Sequence, residues 1–171
     1  MAKIEKIEGY ATDRYFHEGP AIRLMEAKKY QEFISRQRRE VLRPCGTANP
    51  ENIDAYIETG GFSALQMAVT GMTPEKVVEQ IKRAELRDRS AQARNTGVEW
   101  EAYRRDHHLP HYIVSTRLGG YSEAWIERTL LEGNPFALIE GLAITAYALG
   151  GVGKGIVYIP PAYKPLAFRR M

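Results

Sequence analysis

The chain has 171 residues, of which 44% are hydrophobic, and it carries 24 basic against 21 acidic side chains, a formal net charge of +3. This length is enough to bury one sizeable core, and so mild a positive charge gives no indication of a nucleic-acid-binding protein. Cys45 is the single cysteine, which excludes an internal disulfide and a cysteine-only zinc or iron–sulfur site.

No stretch of the sequence predicts export or a membrane span. Residues 1–16 alternate charged and apolar side chains, unlike a secretory signal. The longest apolar stretch, 138–149, contains Glu140 and is shorter than the roughly 20 residues that a transmembrane helix needs. We therefore expect a cytoplasmic protein with no direct membrane insertion.

The N-terminal region, 1–40, is predicted to be an arm followed by an amphipathic helix over 25–40. Basic side chains cluster at the end of this helix. The favoured interpretation is a solvated helix end whose cations suit the helix dipole. The alternative is a docking patch for an acidic partner. The residues concerned are Arg36, Arg38, Arg39 and Arg43.

Three helices are predicted between residues 49 and 86. Asn49, followed by Pro and Glu, is typical of a helix start, and Gly60-Gly61 ends that helix. A short helix over 62–69 follows, and Thr73-Pro74-Glu75 repeats the start signal. The apolar faces of these helices carry Ile53, Tyr56, Ile57, Val77, Val78, Ile81 and Leu86.

Two short strands flank a long helix in the C-terminal part. Residues 112–115 are a candidate buried strand, 135–149 a helix buried on more than one side, and 155–159 the second strand. This order predicts a right-handed parallel crossover. Two parallel strands form an incomplete core. Residues 164–171 resemble the first turns of a further helix.

Three smaller patterns have competing interpretations. The histidines at 107, 108 and 111 could offer metal ligands, but a polar loop is favoured because no fourth ligand is evident. Cys45 is either a reactive thiol or, as we favour, a packed one. The glycines over 150–155 follow a helix and precede a strand, the reverse of a phosphate loop, and so favour a helix end. No Ser-His-Asp or paired-carboxylate arrangement stands out.

Longer stretches of the sequence resemble the NADH-binding flavoprotein subunit of complex I, which has counterparts in NAD-linked hydrogenases and formate dehydrogenases. The similarity covers roughly 40–171 in unbroken order, and its most specific stretches are NPENIDAYIETGG at 49–61 and PFALIEGLAITAYA at 135–148. The resemblance implies a Rossmann-like flavin domain that binds FMN and NADH and passes electrons to iron–sulfur clusters.

The family's glycine-rich loop corresponds to residues 86–100, and this sequence departs from it. Glycine lets a backbone approach a phosphate and take positive φ without a Cβ clash. Residues that match the family are Leu86, Arg87, Arg89, Thr96, Gly97 and Trp100. Family glycines are replaced by Asp88, Ser90, Ala91 and Ala93, and other family residues by Arg94, Asn95 and Glu99. We therefore predict that the FMN site is lost.

A second family motif, after the first strand, is also altered. Thr116 stands where the family has an Asn that meets the flavin, and Leu118 and Gly119 stand where it has two acids. The acid–Arg pair Glu127-Arg128 is retained and is interpreted as structural. The family's later regions, including the four-cysteine helical bundle, are not found in these residues, so we expect a truncated and degenerate family member.

The predicted fold class is α/β: a partial Rossmann-like flavin-domain fragment with a helical N-terminal layer and a short parallel sheet. Residues 1–40 form the arm and helix, and 41–171 the truncated flavoprotein-like domain. The predicted function is that of a non-catalytic accessory component of a multisubunit NADH-linked redox complex. We expect no catalytic, cofactor-binding or metal-binding residue and no bound cofactor, and a chain that is not an enzyme on its own.

Other redox-complex subunits are the expected partners, with a homo-oligomer as a further option. The alternative function is one component of a split NADH:acceptor oxidoreductase, completed by another chain, which the surviving Arg89, Thr96 and Gly97 support. A decayed gene product without a role is a third possibility. A nucleic-acid module is disfavoured because the basic residues are scattered and no aromatic stacking platform is evident.

Overall fold

The computed structural model describes residues 32, 35–45, 49–88, 91–105, 112–115, 124–151 and 154–159. In chain order its elements are α1 (Ile53–Glu58), α2 (Ser63–Gly71), α3 (Pro74–Arg83), α4 (Thr96–Arg105), β1 (Tyr112–Ser115), α5 (Ala124–Gly133), α6 (Pro135–Ala148) and β2 (Lys154–Val157). The predicted helix over 25–40 lies largely outside the described residues, and the predicted helix turns over 164–171 lie wholly outside them.

The chain divides into two compact units. Unit 1 comprises Met1–Thr59, Arg117–Leu138 and Ile159–Met171, and unit 2 comprises Gly60–Thr116 and Ile139–Tyr158. Helix α6 thus contributes its first residues to unit 1 and the rest to unit 2.

Helix α1, which lies in unit 1, begins three residues later than predicted. Its cap is Asn52, whose side chain accepts hydrogen bonds from the backbone N–H groups of Asp54 and Ala55. Asn49 instead accepts from the N–H of Glu51 at 2.9 Å and so stabilises the turn before the helix. Two asparagines three residues apart can each cap a helix. The prediction of Asn49 as the cap is wrong, because Asn52 caps α1.

The apolar face predicted for α1 is confirmed only at Tyr56. Tyr56 is buried, and its ring packs on that of Phe136 with the centroids 5.6 Å apart. Ile53 and Ile57 are about half exposed. A helix of two turns buries a narrow stripe, so only the side chain at its centre reaches the core.

The core of unit 2 is formed by α2, α3, α4 and the end of α6. Thr73 caps α3 as predicted, accepting from the N–H of Lys76. Leu86, predicted to face the core, is exposed because α3 ends at Arg83. The core residues are Ala68, Val77, Val78 and Ala148, with Met72, Trp100, Ile144 and Tyr147 packed against them.

Two helices of the structure were not predicted. α4 starts after Asn95, whose Oδ1 accepts from the N–H groups of Gly97 at 2.9 Å and Val98 at 3.2 Å. Asn95 is a strong N-cap residue, so the signal was present in the sequence. Helix α5, Ala124–Gly133, was missed as well.

Strands β1 and β2 pair in parallel, with Tyr112 opposite Lys154 and Val114 opposite Ile156. The parallel crossover and the α/β class are therefore confirmed. The expectation that 112–115 is a buried strand is wrong, because exposed and half-buried residues alternate along it.

The glycines after α6 form a helix end, as favoured. Gly150 and Gly151 have φ of 89° and 94°, and the N–H of Gly151 donates to the carbonyl of Ala146 at 3.2 Å. This left-handed turn satisfies carbonyls at the helix C-terminus. Separately, among the described residues, we find no helix with the length and apolar character to span a bilayer.

Candidate functional site

The segment that resembles a ligand loop is a short hairpin leading into α4. The N–H of Thr96 donates to the carbonyl of Leu86 at 2.8 Å, and the N–H of Asp88 donates to that of Arg94 at 2.9 Å. Arg87 and Asn95 form an antiparallel bridge between these two bonds. The backbone of residues 86–88 is therefore hydrogen-bonded to that of residues 94–96.

Side chains that depart from the family pattern stabilise this hairpin. The Asp88 carboxylate accepts from the backbone N–H of Arg94 at 3.1 Å. The Arg94 guanidinium lies 3.6 Å from the Glu99 carboxylate at the start of α4. An exposed pair of this kind contributes at most about 1 kcal/mol. Asp88, Arg94 and Glu99 thus have local partners in the fold.

The backbone at Ala93 is left-handed, with φ of 45°. This is the region that glycine adopts freely and other residues adopt at a cost of about 1–2 kcal/mol. Ala93 stands where the family has glycine, and its backbone takes the left-handed conformation that glycine favours. The replacement therefore does not by itself show that the loop has changed shape.

We expect Ala93→Gly to stabilise the protein by up to about 1 kcal/mol, because relief of the left-handed strain exceeds the extra freedom that glycine gains in the unfolded chain. Ala91→Gly is the control. Ala91 is not among the left-handed residues, so glycine there should destabilise by about 0.5 kcal/mol. Urea denaturation measures both. Equal changes in the free energy of unfolding for Ala93→Gly and Ala91→Gly would contradict the backbone strain at Ala93.

The retained family residues Gly97 and Trp100 hold α4 against its neighbours. A Cβ on Gly97 would lie 2.4 Å from the backbone nitrogen of Lys82 at the end of α3. The Asn95 side chain also donates to the Lys82 carbonyl at 3.1 Å, and Trp100 packs on the core. Close helix packing thus accounts for the retention of Gly97.

Two charged side chains that the sequence did not single out organise unit 2. The Glu140 carboxylate, buried on α6, accepts from the N–H of Phe62 at 3.0 Å and from that of Leu65 at 3.2 Å. Arg104 donates to the Ala148 carbonyl at 2.7 Å and pairs with Glu75. The partners lie 29 to 78 residues apart, so no local pattern could reveal them.

Most of the basic cluster after residue 35 has partners within the chain. Arg39 donates to the carbonyls of Leu42 and Cys45. Arg38 and Arg43 both pair with Glu40, at 2.8 Å and 3.6 Å. These pairs neutralise part of the charge, which favours the structural interpretation over a docking patch for an acidic partner.

Cys45 is packed in unit 1, where it is 1% exposed and its thiol donates to the carbonyl of Thr129 at 3.7 Å. Burial raises the pKa of the Cys45 thiol to about 11, against a smaller opposing effect of Arg39. Since only the thiolate is nucleophilic, the structure describes an unreactive thiol.

We expect native Cys45 to be alkylated by iodoacetamide at pH 8 at least roughly 100-fold more slowly than in the denatured chain, since a rise of two pKa units removes that much thiolate. Mass spectrometry of the carbamidomethylated product gives both rates. The same chain in guanidinium chloride is the control. Similar rates in the two states would show that the thiol is accessible.

One face of the sheet is apolar and open to solvent. We call it the sheet face. Its large side chains are between 39% and 58% exposed. Because side chains alternate along a strand and paired residues point the same way, these residues share one side. They are Tyr112, Val114, Lys154, Ile156 and Tyr158.

Several residues named from the sequence lie outside the described part of the chain. These are Arg89, Ser90, His107, His108, His111, the segment 116–123, and the side chains of Glu127 and Arg128. Within the described ranges, no group of three or more His, Cys, Asp or Glu side chains could hold a metal ion.

Curated proteins with similar sequences come from NAD(P)-linked redox enzymes. The chain is 38% identical over 136 residues, 80% of its length, to HndC, a subunit of the NADP-reducing hydrogenase of Solidesulfovibrio fructosivorans. It is 33% identical over 131 residues to an F-type NADH-quinone oxidoreductase subunit of Rhizobium meliloti, and 28% identical over 115 residues to its Escherichia coli counterpart. No family model matches the chain.

The matched segment is a minor part of each relative. The chain spans 27% of the hydrogenase protein, 31% of the Rhizobium protein and 26% of the Escherichia coli protein. Activities of the whole relatives are therefore not transferred to this chain by the match alone.

The prediction that the chain takes no cofactor is wrong. It rested on replaced glycines, yet the relatives that match most of the chain are named as NADP-reducing and NADH-quinone enzyme subunits. The left-handed φ of 45° at Ala93 also shows that the loop backbone does not require glycine there. The substitutions thus give no ground for excluding a nucleotide or flavin.

Proposed function

This chain belongs to the family of NADH-binding flavoprotein subunits, and on that premise we propose that it is an accessory module of a multisubunit NADH-linked redox complex. Its role in that complex is structural: it contacts another subunit and carries out no catalytic step of its own. The proposal includes a partial Rossmann-like flavin-domain architecture, with an N-terminal arm over 1–40 and the domain over 41–171.

The exposure of the sheet face supports this proposal. Parallel strands occur almost only in sheets with both faces covered, and two strands alone form an incomplete sheet. Here Val114 and Ile156 lie side by side at its centre, with Tyr112 and Tyr158 at its two ends. Exposed apolar side chains grouped in this way support a protein–protein contact at the sheet face.

We expect Val114→Glu to reduce the amount of other redox subunits that co-purify with the chain by at least about tenfold, because a buried, unpaired carboxylate costs several kcal/mol at an interface. Val69→Glu is the matched control. Val69 is equally exposed but lies on α2 and not on the sheet face. Quantitative mass spectrometry of the purified complex gives the subunit ratios.

Circular dichroism should show that both variants fold as the parent chain does, since each changes an exposed side chain. Undiminished assembly of the folded Val114→Glu variant would contradict the accessory role at this face. Equal loss of partners in both variants would show an effect that is unrelated to the sheet face.

A second candidate function is one component of a split NADH:acceptor oxidoreductase, completed by another chain. The observation that favours it is the 38% identity to a protein named as part of an NADP-reducing enzyme, over 80% of this chain. The absorption spectrum of the natively purified complex separates the two candidates. Stoichiometric flavin bands that are assigned to this chain, bleached by NADH and restored by an acceptor, would favour the split enzyme.

A further inference from the structure

We draw no further inference here: the strongest candidate, the exposed apolar sheet face centred on Val114 and Ile156, carries none because nothing in the described part of the chain shows what covers it.

Discussion

Replacing Gly97 with alanine is expected to destabilise unit 2 by about 3 kcal/mol, at the upper end of typical overpacking effects. The added methyl group would lie 2.4 Å from the backbone nitrogen of Lys82 and 2.5 Å from its Cα. Backbone atoms cannot rotate away as a side chain can, so α4 must move off α3. Equilibrium urea denaturation followed by tryptophan fluorescence and circular dichroism measures the loss.

Gly141→Ala is the matched control for this substitution. Gly141 also lies in a helix, α6, but a Cβ there meets no atom within 4 Å. Alanine should stabilise α6 by about 1 kcal/mol through its higher helix propensity. We therefore expect Gly97→Ala to lower the free energy of unfolding and Gly141→Ala to raise it. A neutral or stabilising Gly97→Ala would contradict the close contact of α3 and α4.

Glu140→Gln is expected to destabilise the chain by about 2 kcal/mol, because a hydrogen bond to a charged group contributes roughly 1.5–3 kcal/mol. The carboxylate accepts from two N–H groups at the start of α2. A glutamine amide has one acceptor oxygen, so its NH2 group would face one of these donors. Phe62, which supplies one N–H, has φ of 60° and has to be held in this conformation.

Glu79→Gln serves as the control for Glu140→Gln, since Glu79 is exposed on α3. We expect a change within about 0.5 kcal/mol there. Thermal and urea denaturation at pH 7 compare the two variants. If Glu140→Gln were as mild as Glu79→Gln, the buried carboxylate would not be the group that holds the start of α2.

Local sequence signals predicted the elements whose ends depend on a few neighbouring residues. Thr73 caps α3 as expected, and Gly150 with Gly151 ends α6 through left-handed turns. Such caps involve residues within a few positions of one another, so the sequence contains all the partners. The predicted start of α1 is wrong because Asn49 and Asn52 have the same side chain, and only the hydrogen bonds in the structure show which one caps the helix.

Features that depend on distant contacts were not predictable in the same way. Glu140 looked like an interruption in an apolar stretch, yet it accepts hydrogen bonds from residues 75 and 78 positions away. Gly97 looked like a surviving ligand residue, yet its close neighbour is Lys82 of another helix. The prediction that β1 is buried is also wrong. Burial of a strand depends on which other parts of the fold pack on it, and the local sequence does not contain that information.

The hairpin before α4 shows how a family pattern can mislead when it is interpreted one residue at a time. Asp88 and Arg94, which replace family residues, bond to each other within the turn. Ala93 takes the left-handed backbone without glycine. The retained Gly97 and Trp100 have packing roles. Retention and replacement at these five positions are thus explained by folding, and they do not decide cofactor binding.

The most direct test of the accessory role is native mass spectrometry of the protein purified under gentle conditions from its own cells. We predict a defined complex that contains this chain in fixed stoichiometry with at least one different subunit of an NADH-linked redox enzyme, and loss of that complex in Val114→Glu. A folded chain found only as a monomer, or only as copies of itself, would contradict the proposal.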